Sequence, residues 1–327
     1  MDLQQPVDRV TLLPIPVPLP VRTTNCYAID TGEGFILIDA GMDTPMARDA
    51  WRTYLSHLNI TRGRARCLFV THFHPDHLGL AHWLQDELDV PVAMMAGEVE
   101  TAQHYLIESP QDAEFLREFY IAQGVPEAII REWHALDVAF KATLRLPSEW
   151  RLMNHGDTTH MGRFHLRFLE QHGHTQHQGL LYWPDHHILF TGDQVLARIT
   201  PNVSLWPGHD VNPLESYIES LTQLQSLGHT LGLPAHETLI PDVSQRIQEI
   251  LAHHAARNQR LLSILSQTPL TGYELTHQLF PRPLDLYQER FALGETLAHV
   301  VYLERLGRVH AIHDGPVTRY ALRSEDQ

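Results

Sequence analysis

The chain of 327 residues is 43% hydrophobic and 19% charged, long enough to bury one large core or two. Its formal charge of −15, with Lys141 the single lysine beside the arginines, argues against tight nonspecific binding to nucleic acid, which draws its affinity from phosphate neutralisation. Two cysteines, Cys26 and Cys67, are too few for a disulfide framework, residues 1–6 show no leader pattern, and no run of about 18 apolar residues could span a bilayer; the expectation is a cytoplasmic protein with buried thiols and no membrane contact.

Residues 12–21 alternate proline with apolar side chains, which suits an extended edge segment and no central strand. Strand-like runs at 26–29 and 35–39 flank a turn at Thr31-Gly32-Glu33-Gly34. Apolar residues at 46, 47, 50, 51, 54, 55 and 58 follow helical spacing. Cys67-Leu68-Phe69-Val70 reads as a buried strand, 78–88 as a helix and 90–95 as another strand, so the first part predicts an α/β layer structure. From about 97 to 140 the pattern is helical, with Pro126 placed to open one helix; this segment reads as an insertion that could cover a cleft. Strands resume at 165–169, 180–183 and 188–191, the last two joined by a Pro184-Asp185 turn. Helices at 214–227 and 243–265 flank a short strand at 230–233. Helices at 273–280 and 293–306 then precede strands at 309–312 and 318–322 around Asp314-Gly315, a hairpin signal. That tail describes a small winged-helix module, and the predicted division is a catalytic domain over 1–256 and a C-terminal domain over 257–327.

Thr71-His72-Phe73-His74-Pro75-Asp76-His77 packs four candidate metal ligands into six positions on a strand-to-helix loop. Its spacing suits two adjacent metals better than one. Further polar groups follow strand-like runs. Asp39 ends Leu37-Ile38-Asp39-Ala40-Gly41, and His174 lies in His172-Gly173-His174-Thr175. Asp193 ends Phe190-Thr191-Gly192-Asp193, and His236 closes Leu233-Pro234-Ala235-His236. Groups delivered from several strand ends can converge on one edge of a layered fold.

In this order the motifs resemble the metallo-β-lactamase superfamily, across residues 39 to 236. The resemblance implies a four-layer αββα sandwich with a two-metal site. Matched residue by residue, it implies His72, His74 and His174 on one metal, Asp76, His77 and His236 on the second, and Asp193 bridging both. Asp39 matches an acid that supports the site from behind the ligands. The tail is similar to that of the β-lactamase-like protein 2 branch, some of whose members cleave RNA. Departures from the family pattern are Leu80 after Gly79, His172 in place of a proline, and Ala235 before His236. They leave the ligand positions intact and bear on the substrate.

The expected chemistry is hydrolysis by a water-derived hydroxide shared by two divalent ions, with Asp76 orienting it. Zinc suits the imidazole-rich set, with iron or manganese as alternatives. The expected substrate is a small acyl compound: a thioester, ester or lactone. Phe119 and Tyr120 in the helical insertion, and His209 in Trp206-Pro207-Gly208-His209-Asp210, are the candidate substrate contacts. The alternatives are cleavage of single-stranded RNA and a non-enzymatic metal sensor. Residues 257–327 hold eight arginines against eight acids, which lowers the RNA reading. An oligomer is compatible with the sequence.

Overall fold

The computed structural model describes residues 3–106, 110–142, 144–208 and 211–323. Its first half runs β1 (Val10–Pro16), β2 (Thr23–Asp30), β3 (Phe35–Ile38), α1 (Pro45–His57), β4 (Ala65–Phe69), α2 (Pro75–Leu78), α3 (Ala81–Leu88), β5 (Val92–Met95), α4 (Ala96–Leu106), α5 (Pro110–Ala122) and α6 (Glu127–Lys141). Then follow β6 (Trp150–Met153), β7 (Thr158–Met161), β8 (Phe164–Gln171), β9 (Gln178–Trp183), β10 (Ile188–Gly192), α7 (Pro213–Gln225) and β11 (Leu231–Pro234). The tail contains α8 (Val243–Leu265), β12 (Leu270–Thr271), α9 (Gly272–Leu279), α10 (Leu286–Arg305), β13 (Val309–Asp314) and β14 (Val317–Leu322). No helix among the described residues is long and apolar enough to cross a membrane.

Two sheets form the first compact unit, which comprises Met1–Leu106, Thr143–Pro201 and Leu224–Arg246. One has the order β1-β2-β3-β4-β5-β6, antiparallel over β1 to β3 and parallel from β3 to β6. The other has the order β11-β10-β9-β8-β7, with only β10 and β11 parallel. The proline-rich β1 is an edge strand, as a strand short of amide donors must be.

Alternating side chains pack the sheets face to face. Ile29, Ile38, Phe69 and Met95 of the first sheet meet Phe168, Leu181, Trp183 and Phe190 of the second in one buried cluster. The opposite face of the first sheet buries Leu37 and Leu68 against Trp51 of α1 and Leu84 of α3. Helix α1 starts where Thr44 accepts from the Ala47 amide at 3.1 Å and Pro45 occupies the first turn. Buried Ala47, Trp51, Tyr54 and Leu55 then make a single stripe along it.

The helix predicted over 78–88 is interrupted. Gly79 passes so close to its neighbours that a Cβ there would lie 2.4 Å from the Pro75 carbonyl oxygen and 2.9 Å from the Asp43 nitrogen. The Leu80 amide donates instead to the Gly41 carbonyl, at 2.9 Å. Short strands β6 and β7 and the first seven residues of α10 also lie outside the predicted elements.

The second compact unit comprises Ile107–Ala142, Asn202–Gln223 and Ile247–Gln327. Tyr120, Ile130 and Trp133 of the helical segment share a core with Leu261, Leu275, Leu293 and Val300. Its small sheet has the order β12-β14-β13. Helix α9 begins in a reciprocal capping box between Thr271 and Glu274. The β13–β14 turn places Gly315 at φ +60, with the hairpin closing from Asp314 to Val317.

Trp51 is fully buried and donates from Nε1 to the Ala40 carbonyl at 2.6 Å, beside the Asp39 turn. Trp51→Phe keeps most of the packing and removes that donor, so it should cost about 1–3 kcal/mol. A lowered denaturant midpoint at unchanged slope is the expected readout. An unchanged midpoint would show that the hydrogen bond contributes nothing net.

Candidate metal centre

Five strand ends deliver the polar groups of the first unit to one edge. Asp39 follows β3, the 71–77 loop follows β4, the 172–177 loop follows β8, Asp193 follows β10 and His236 follows β11. Backbone hydrogen bonds sew that edge together. The Gly179 amide donates to the Thr71 carbonyl at 2.8 Å, and the Asn25 amide to the Ala235 carbonyl at 2.6 Å. The Tyr27 hydroxyl donates to the Pro234 carbonyl at 2.7 Å. Pro75 opens α2 one residue after His74, so Asp76 and His77 sit in its single turn, with the His77 ring 4.0 Å from that of His72.

Seven residues converge in three overlapping groups: His72, His74 and His174; His72, His77 and Asp193; and Asp76, His77 and His236. In each group the ligand atoms lie within 4.8 Å of one another. His74 Nδ1 is 2.9 Å from His72 Nε2 and 3.1 Å from His174 Nε2. Asp193 Oδ2 lies 3.5 Å from His77 Nε2, 3.5 Å from His236 Nε2 and 3.7 Å from His174 Nε2. Asp76 Oδ2 is 3.3 Å from His236 Nε2.

Groups behind the imidazoles set their tautomers. Asp39 accepts from the Thr71 amide at 2.8 Å, from Thr71 Oγ1 at 3.0 Å and from His77 Nδ1 at 3.0 Å. His236 Nδ1 donates to the Thr23 carbonyl at 2.8 Å. His72 Nδ1 lies 3.0 Å from Thr71 Oγ1, whose own proton points to Asp39. In all three rings Nδ1 carries a proton to a partner behind the ring, so Nε2 is the nitrogen directed into the cluster. Asp39 holds a left-handed φ of +59, a local cost concentrated at the site.

Burial drives His72 well below the usual imidazole range and His74 down to about 3, with the neighbouring rings adding to both. The other trio goes the opposite way. Burial opposes charge on His236, but Asp193 outweighs it and holds the ring up to about 10. His77 is also raised, against burial, by Asp193, Asp39 and Asp76. Asp76 is held down to about 2, because His77 and His236 overcome the desolvation that would raise it.

This donor set fits divalent cations. It is imidazole and carboxylate throughout, the combination zinc accepts. Three imidazole nitrogens that cannot all donate to one another face a common point. His77 Nε2 and Asp193 Oδ1 are buried without a hydrogen-bond partner.

Neighbouring histidines join none of the three groups. His172 donates from Nδ1 to the Gln176 carbonyl and joins none of the three groups. His82 bonds the Gly79 carbonyl at 3.1 Å. Phe119 and Tyr120 belong to the second unit, with Tyr120 only 5% exposed in its core. His209 lies outside the described residues. Glu98, in the first turn of α4, was not foreseen. Its carboxylate accepts from the Phe73 amide at 3.0 Å, Thr175 Oγ1 at 3.0 Å and the His177 amide at 3.2 Å, tying together the two histidine-bearing loops. Burial raises it to about 7 despite those donors. The signal available was an acid just past an apolar strand, the position Asp39 and Asp193 also occupy.

The family described as the metallo-beta-lactamase superfamily matches residues 19–236, and a metallo-beta-lactamase-like C-terminal domain matches 259–323. The chain belongs to the metallo-beta-lactamase superfamily, a class of metallo-hydrolases. A solved metallo-beta-lactamase family protein of Thermus thermophilus is 31% identical, with TM-score 0.85 over 97% of this chain and 99% of that one. A beta-lactamase domain protein of Burkholderia ambifaria is 27% identical, with TM-score 0.88 over 98% and 94%. Among curated proteins, the chain is 27% identical to the probable metallo-hydrolase YqjP of Bacillus subtilis over 90% of this chain and 92% of that protein.

Asp39→Asn would present an amide N–H to His77 Nδ1, driving the ring's proton to Nε2. Metal affinity should fall about 10–100-fold with the fold retained, read by chelator competition and circular dichroism. Equal affinity would show that Asp39 does not set the tautomer. His77 and His236 hold protons that an entering cation must displace, so metal affinity should rise with pH toward the His236 value of about 10. Adding zinc to metal-stripped protein near neutral pH should acidify a weak buffer; no proton release would contradict this assignment.

Proposed function

We propose that this metallo-hydrolase is dinuclear and acts on an acyl substrate, a thioester, ester or lactone. His72, His74 and His174 would hold one ion, Asp76, His77 and His236 the other, and Asp193 would serve both. Zinc is the favoured ion, with iron or manganese as alternatives. The observation that carries the reading is the place of Asp193 Oδ2, within 3.5–3.7 Å of nitrogens from both trios.

Two divalent ions held there would lower the pKa of water toward neutrality and polarise the bond under attack. The chain's own groups supply the rest. Asp76, kept ionised, can accept a hydrogen bond from the attacking water and so fix its orientation. Asp39 and the Thr23 carbonyl hold the rings of His77 and His236 so that neither can rotate out of line. Neither cysteine competes as nucleophile: Cys26 and Cys67 are buried, and burial raises both thiols, Cys67 to about 11.

The acyl assignment draws on charge. A chain of net −15 repels a polyanion, and residues 257–327 offer eight arginines against eight acids, no basic footprint for RNA.

Elemental analysis of the purified protein should give about two ions per chain, followed by turnover on a panel of thioesters, esters, lactones and single-stranded RNA. Cleavage of RNA alone would overturn the acyl reading. Asp193→Ala should abolish turnover and weaken retention of both ions. A variant that keeps both as tightly as wild type would remove the bridging role.

A further inference from the structure

Beside the loop that delivers His174 lies a second group of metal-ligating side chains that this chemistry does not use. Glu170, near the end of β8, and His172 and His177, which bracket the loop, each offer one ligand atom within 4.8 Å of the others. None belongs to the seven residues of the buried cluster. His177 Nδ1 is 2.6 Å from Glu170 Oε1, so one proton joins imidazole and carboxylate. The two side chains are 36% and 25% exposed, open to solvent where the buried ligands are not.

The arrangement is held from several directions. A Cβ on Gly97 would fall 2.5 Å from the His177 ring, so that ring rests on bare backbone. The His177 amide is fixed by Glu98 at 3.2 Å, and His172 by its bond to the Gln176 carbonyl. Side chains whose backbone and ring planes are already fixed lose little freedom on closing around an ion. Two imidazoles and one carboxylate form a donor set that holds zinc-like ions with a fourth position left to water.

We infer that Glu170, His172 and His177 form a peripheral binding site for a divalent transition-metal ion. The ion links β8 to both ends of the loop that carries His174. Partly exposed and built from three protein ligands, the site fills after the buried cluster and stands independently of whether that cluster is dinuclear.

Equilibrium dialysis of the full chain against increasing zinc, with elemental analysis, tests it. Wild-type protein should take up one equivalent beyond its tight complement. Glu170→Gln and His177→Gln should each lose that equivalent, or bind it at least about tenfold more weakly. His236→Ala, which damages the buried cluster, should keep it, so failure of the dinuclear reading is distinguishable from failure of this one. Absence of the extra equivalent in wild type, its retention at full affinity in either of the first two variants, or its loss in His236→Ala would overturn the inference.

Discussion

Asp39 is 1% exposed at the end of β3 and accepts from the Thr71 amide, the Thr71 hydroxyl and His77 Nδ1. A carboxylate buried that deeply persists only if its oxygens are satisfied, and here the donors are also the means of building the site. The Thr71 contacts fix where the β4 loop leaves its sheet. The His77 contact fixes Nδ1 on Asp39, and so which nitrogen faces Asp76 and Asp193. Without Asp39 the sequence H-x-H-x-D-H would still be present, but the His77 ring would lose the partner that sets its tautomer. Trp51, donating to the next carbonyl along, locks the same turn from the helix layer.

The protonation pattern follows from where the carboxylates lie. His74 meets the rings of His72 and His174 at 2.9 and 3.1 Å, so desolvation wins and it stays neutral down to about 3. His77 and His236 face Asp76 and Asp193 at 3.3–3.8 Å, and there charge attraction wins over burial. The second trio therefore holds positive charge between two acids whatever supplies it. Protons and a divalent ion compete for the same place, which makes pH the natural control on how firmly the second trio holds a cation.

Much of the candidate site was legible because each candidate ligand follows an apolar strand within a few residues, and strand ends in layered α/β folds share an edge. Asp39, Asp193 and His236 were readable for that reason, and His174 because it stands in Gly173-His174-Thr175. The supporting groups were not readable. Glu98 looked like an ordinary first-turn acid of a helix, because its partners Phe73, Thr175 and His177 are 25 to 79 positions away in sequence. Strands β6 and β7, Trp-Arg-Leu-Met and Thr-Thr-His-Met, are four residues each and too short to show a sustained apolar alternation. The start of α10 was hidden behind Pro281 and Pro283. Asp285, accepting from the Gln288 amide at 2.8 Å, caps it where the apolar stripe has not yet begun.

Aromatic residues in the helical segment illustrate a limit of a different kind. Phe115, Phe119, Tyr120 and Trp133 look alike at helical spacing, yet Phe115 is 53% exposed and Trp133 only 1%. Tyr120 packs edge-on against Trp133 at 5.2 Å, and its hydroxyl accepts from Arg290 Nε at 3.2 Å. Arg290 in turn is paired with Asp137 and lies over the Trp206 ring at 5.2 Å. A guanidinium taken out of water needs every N–H answered, so the Tyr120 hydroxyl completes an ion pair inside the second unit's own core. Periodicity reports that a side chain leaves solvent. Whether it meets substrate or its own fold depends on charged partners far along the chain, and for Tyr120 those are Arg290 and, through it, Asp137.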